Sequence, residues 1–247
     1  MDLSAFASHI GPLLCVFAAA FLQSATGFGL VMVAAPLLMY FYDPKLVILI
    51  VALFAVCGNL TQSFFLRRDA RYDVVGCLLL GSVFGQQIGF HIYRAVSPAL
   101  LKLVISVVIL LSLTLMQALR VRVELRPRNS VVTGFVAGIM ATTAGMNGPP
   151  LILYFSHVPF TPAQLRATSI TFFFVSNIVA LTTFFLGGVD FTVALHEFVY
   201  VLPGLAAGIL AGHLAFDYIP AQLFRRALYV ILIAMCLHTI WGAIAAM

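Results

Sequence analysis

Two stretches decide how this chain folds: Thr142-Thr143-Ala144-Gly145-Met146-Asn147-Gly148-Pro149-Pro150 and, earlier, Ser24-Ala25-Thr26-Gly27-Phe28-Gly29. Both are small, polar and helix-breaking, and both lie inside apolar sequence. Glycine frees the backbone and proline removes a donor, so each stretch interrupts a helix at a depth where no water replaces the lost hydrogen bonds.

That depth follows from composition. The 247 residues are 63% hydrophobic and 9% charged, against roughly 45–50% and 25% in soluble domains. An all-α polytopic membrane protein is expected. Thirteen basic and eight acidic residues leave a charge of +5, which reads as loops facing anionic lipid and not as nucleic-acid binding. Cys15, Cys57, Cys77 and Cys236 stand singly, with no C-x-x-C, and read as small buried side chains. The first apolar run follows Asp2 instead of a basic region, so it reads as retained and not as a signal peptide.

A spanning helix needs about 20 apolar residues. The run from Ile10 to Phe41 is too long for one and is read as half-helices over 10–24 and 29–41. Asp43-Pro44 opens a span to Leu66. Spans over 74–93 and from Pro98 to 119 follow. The basic segment 120–130 is read as a linker between a first repeat, 1–119, and a second, 131–247. The second repeat holds a broken run at 131–158 and spans at 162–186, 192–216 and 220–246.

The halves are related by a constant offset: 145 − 27, 162 − 44 and 177 − 59 all equal 118, pairing glycine, proline and asparagine in turn. Later it becomes 122, pairing His91 with His213 and Pro98 with Pro220. An internal repeat is expected. If each broken run crosses the membrane once, the basic residues divide seven to six. If each is a re-entrant hairpin, Arg67, Arg68, Arg71, Arg120, Arg122, Arg126, Arg128, Arg166, Arg225 and Arg226 share one side against Lys45, Arg94 and Lys102. Only the hairpins satisfy the positive-inside rule. Three full spans per half then make the repeats inverted, both termini lie outside the cytoplasm, and the hairpin tips should meet.

Such tips suit an anion. Half-helices starting at Gly29 and Gly148 would aim N–H groups and positive dipole ends at it without a buried full charge. Around them lie Gln23, Ser24, Thr26 and Gly27, then Thr142, Thr143, Gly145 and Asn147. The plainer reading is a break that only packs closely against a neighbour. Asn59, Gln62 and Asn177 are polar groups deep in spans, and either touch substrate or bond between helices. Arg166 either contacts the anion or snorkels to headgroups. His91 and His213 either relay a coupling proton or lie at the interface. His196-Glu197 is not H-E-x-x-H, so no metal site is expected, nor any cofactor. No nucleotide-binding loop and no G-x-S-x-G nucleophile motif occurs, so neither ATP hydrolysis nor an enzyme is expected.

The order of these motifs resembles the sulfite exporter TauE/SafE family. The resemblance rests on Thr26-Gly27-Phe28-Gly29 through Pro36 and Pro44, and on Gly145-Met146-Asn147-Gly148-Pro149-Pro150 through Pro162, and it covers nearly the whole chain. It implies a secondary transporter of the bacterial inner (plasma) membrane, exporting sulfite, sulfoacetate, thiosulfate or other organic anions. Alternating access at a midplane site between the broken helices is the expected mechanism, with protons as a candidate coupling ion. An anion channel of the same fold is the alternative reading, and the oligomeric state is left open.

Overall fold

The structure is a computed structural model that describes residues 3–26, 30–118, 125–155, 158–215 and 233. Side chains are described throughout these except at 3–8, 22–26, 30–32, 61, 112–113, 115–118, 213 and 215. Helices run in the order α1 (Leu3–Thr26), α2 (Leu30–Leu38), α3 (Pro44–Phe65), α4 (Tyr72–Ala95), α5 (Pro98–Ala118), α6 (Pro127–Ala144), α7 (Gly148–Phe155), α8 (Pro162–Leu186) and α9 (Thr192–Ala215). No strand occurs among the described residues. Four helices are long and apolar enough to cross a membrane, over Pro44–Phe65, Tyr72–Ala95, Pro162–Leu186 and Thr192–Gly212. The span expected at 220–246 lies outside the described residues.

Local chemistry sets the boundaries. The Asp43 carboxylate accepts from Lys45 N at 2.8 Å, ahead of α3. Thr161 caps α8 in a reciprocal box with Gln164, and Pro162 takes the first turn, where an amide would be unpaired anyway. Pro127 does the same for α6, preceded by the extended Arg126. The last four residues of the segment read as a linker are therefore helical.

By contacts the chain forms two compact units: residues 1–51, 98–110 and 190–247, and residues 52–97 and 111–189. Both draw on both halves of the sequence, and a glycine seam explains why. In the second unit Gly81 and Gly85 of α4 lie against Val131 and Phe135 of α6. Gly134 and Gly138 of α6 lie against Leu78 and Ser82 in return. A methyl group at any of the four would fall on a facing backbone carbonyl oxygen. In the first unit Gly204 and Gly208 of α9 approach the Leu13 and Phe17 carbonyls of α1 in the same way. These are small-xxx-small surfaces, which let helices pack where the solvent is as apolar as the side chains. They correspond too: 204 − 81 and 208 − 85 both equal 123. A helix of each half thus packs on the first broken-run helix of the other.

Both broken runs double back. Tyr154 OH, near the end of α7, lies 2.8 Å from Ser130 Oγ at the start of α6; a straight helix would separate residues 24 apart by about 36 Å. In the first unit the Phe41 ring, beyond α2, packs on Gly11 near the start of α1. The returning arm of the second unit seals a core of Val74, Leu78, Ala137, Leu151, Tyr154, Phe155 and Phe172.

One end of that unit is basic. Arg71 N donates to Thr168 Oγ1 at 3.1 Å, the Arg71 guanidinium lies 5.7 Å from the Phe160 ring centre, and Arg166 Nη2 donates to Gln62 Oε1 at 3.4 Å. The start of α8 therefore stands at the same end as the α3–α4 loop that carries Arg67, Arg68 and Arg71. A hairpin at 131–158 requires this arrangement; a single crossing forbids it.

Candidate functional site

The second break is the better-defined of the pair. Gly145 ends α6 with φ 71° and ψ 4°, a left-handed conformation open to glycine at little cost. Met146 N then donates to Met140 O at 3.3 Å, which closes the helix end. Asn147 follows, and Gly148-Pro149-Pro150 opens α7. Two of the four amides that a helix start leaves unpaired are therefore missing, removed by Pro149 and Pro150. The N–H groups that the sequence assigned to this helix start reduce to those of Asn147 and Gly148, beside the Asn147 carboxamide.

That carboxamide carries one of several buried polar atoms here that lack a partner. Asn147 is 7% exposed, and its Nδ2 is buried without a hydrogen-bond partner. An unpaired buried donor costs about 1–3 kcal/mol, which a bound acceptor would recover. Among the uncharged polar side chains of α4, α6 and α8, Thr142, Gln86, Ser82 and Ser176 form a linked network. Thr142 Oγ1 donates to Gln86 O of α4 at 3.1 Å, and Thr143 Oγ1 to Ile139 O at 2.7 Å. Gln86 Nε2 donates to Ser176 O at 2.9 Å and approaches Ser82 Oγ and Ser176 Oγ at 3.0 Å each. A carbonyl can only accept, so Ser176 O fixes the amide orientation and leaves Gln86 Oε1 as a buried, unpaired acceptor. On α8, Phe173 faces Gly148. One turn earlier, on the same face, Ser169 Oγ is buried and unpaired.

The other candidates fall in several places. Asn59 Nδ2 donates to Ala55 O at 2.7 Å, and Asn177 Nδ2 to Phe173 O at 2.8 Å. These two asparagines thus make the same bond inside their own helices, which uses one N–H of each and leaves the second N–H and the carboxamide oxygen. Gln62 is used at both ends, by Gly58 O at 3.0 Å and by Arg166. Arg166 is exposed and about 15 Å along α8 from Ser176. His91 is exposed one turn from the end of α4, its ring 6.1 Å from that of Phe90. Gly27 and Gly29 lie outside the described residues, as do the side chains of Gln23, Ser24, Thr26 and His213.

Three polar residues escape a motif-based reading: Gln86, Ser82 and Ser169. The signal for Gln86 was present, a carboxamide in mid-span four residues after a serine, and polar groups at that depth must face protein.

Among the described residues an all-helical chain with four helices long and apolar enough to cross a membrane, and a run that doubles back at a polar break, has the make-up of an integral multi-pass membrane protein. The chain belongs to the sulfite exporter TauE/SafE family, whose family model matches residues 13–239. Comparison with curated proteins and with solved structures gave no match. Membership makes the protein a membrane transporter with a small anionic substrate.

Proposed function

We propose that the protein is a secondary transporter that exports small sulfur-containing or organic anions of the sulfite, sulfoacetate or thiosulfate type. The observation that carries this reading is the buried, unpaired Asn147 Nδ2 at the break between α6 and α7. A neutral donor at a helix start binds an anion without a buried cation, and so lets it leave again. Thr142, Thr143, Gly145, Gly148 and Asn177 shape the second break, and Ser24, Thr26, Gly27 and Gly29, with Gln23, are its repeat counterparts. Two inverted repeats rocking about the bound anion give alternating access. The shared basic end of the α3–α4 loop and α8 supports re-entrant hairpins, with that end in the cytoplasm of a bacterial inner membrane.

The test is counterflow of labelled sulfite in vesicles that contain the purified protein. Trans-stimulation is expected of a carrier, and its absence would favour a channel. Asn147→Ala should slow exchange about 10–100-fold, the worth of one hydrogen bond to a charged ligand, with unchanged thermal unfolding. Wild-type rates in that variant would refute the site.

A further inference from the structure

The first unit contains a cluster that the anion site does not use. Glu197, in the second turn of α9, has a side chain only 14% exposed; every other described acidic residue is exposed. Its Oε2 accepts from Tyr42 OH at 2.7 Å and lies 3.0 Å from His9 Nε2. Its Oε1 has a single long contact, to His196 Nδ1 at 3.5 Å. The Tyr200 ring stacks on His9 at 4.4 Å and meets His196 at 4.8 Å. The groups facing Glu197 thus come from α1 (His9), from the turn that follows the returning arm α2 (Tyr42) and from α9 itself (His196, Tyr200). Among the described residues no group of three His, Cys, Asp or Glu is placed to hold a metal ion.

We propose that Glu197, with His9 and Tyr42, is a proton-binding site, and that its proton is the one coupled to anion movement. The second half of this inference rests on the transporter reading; the first does not. A largely buried carboxylate on an apolar helix, bonded to a tyrosine and within hydrogen-bond distance of an imidazole, has the form of a proton relay. The proton adds to Oε1, the oxygen with only a long contact. Oε2 keeps its donors but becomes a neutral acceptor, so the bonds to Tyr42 and His9 fall to about half their charge-assisted strength. Because Tyr42 ends the returning arm of the first broken run, protonation loosens that arm at its root. His91, exposed and beside Phe90, has no such linkage.

Infrared difference spectroscopy of the purified full chain, between neutral and mildly acid buffer, reads the site directly. A protonated-carboxyl band is expected to grow on acidification and to vanish in Glu197→Gln. Should that variant fail to fold, His9→Gln keeps the carboxylate and should move the midpoint upward by on the order of one pH unit. Identical titrations in wild type and in the variant that folds would overturn the proton site. Coupling is read with a pH dye inside protein-containing vesicles, against protein-free ones. A sulfite gradient should drive proton flux in wild type and not in Glu197→Gln, and sulfite counterflow without any proton flux would overturn the coupling. No counterflow at all would instead refute the transporter reading, while the infrared result still judges the proton site.

Discussion

The start of α9 in one unit and the start of α4 in the other occupy related places in the repeat but carry opposite chemistry. At the offset of 123, Glu197 corresponds to Val74, Ser82 to Leu205 and Gln86 to Ile209; at 118, Tyr42 corresponds to Phe160. Tyr42 bonds Glu197 in the first unit, and Phe160 packs against the apolar cluster of Val74 in the second. At mid-span the roles reverse: Ser82 and Gln86 build a neutral polar network, while Leu205 is buried in the apolar core and Ile209 is 37% exposed. The glycine seams, by contrast, are alike in both. The two units thus share the surfaces by which their helices approach and differ where side chains do chemistry, because a seam tolerates no added atoms and a lining position tolerates many.

The seam equivalence can be broken with bulk. Gly85→Leu and Gly208→Leu each force a side chain into a facing carbonyl and should destabilise by at least about 3 kcal/mol, or abolish folding. Yield and thermal unfolding in detergent would measure this, and damage from only one of the pair would end the equivalence. A smaller effect sharpens the asymmetry. Gln86→Leu removes the donor shared by Ser82 Oγ, Ser176 Oγ and the Ser176 carbonyl, leaving the two hydroxyls only each other at 3.1 Å, and should cost about 1–3 kcal/mol, whereas Ile209→Leu should cost under about 1.5 kcal/mol; denaturation in mixed micelles would compare them. Equal costs would mean that the network adds nothing.

The smallest effect is on pH dependence. Burial, then the hydrogen bond to Glu197 and that carboxylate's charge, raises the Tyr42 phenol above the usual tyrosine range. The folded protein therefore holds this proton where the unfolded chain has released it. The contribution to stability is complete below about pH 10 and declines as pH rises beyond it. Tyr42→Phe should show a shallower alkaline loss of stability than wild type. Phe160→Tyr, which has no carboxylate at hand and has the Arg71 guanidinium 5.7 Å from its ring, should acquire a smaller one.

Much of the fold was legible because its signals are local. Pro44, Pro98 and Pro162 open helices where the chain says they should, Gly145 takes the left-handed turn, and the span lengths follow from apolar run length. Pro127 was legible in principle, but four arginines around it read as a loop. The site was less legible. Asn147 stood out by its place in the break, but nothing local showed that Asn59 and Asn177 would each spend one N–H on the carbonyl four residues back, or that Arg166 would find Gln62. Gln86 and Glu197 needed partners more than 80 residues away.

By itself the sequence determined that this is a membrane protein and where its helices open and break, since hydropathy, proline and glycine are properties of the chain alone. Only the tertiary structure decided that each broken run returns on itself, that a helix of each half packs on the other half's broken run, and that the Asn147 amide nitrogen is left unpaired while a carboxylate gathers two histidines and a tyrosine. Those outcomes depend on which backbones approach within a methyl group's width, and that is a property of packing.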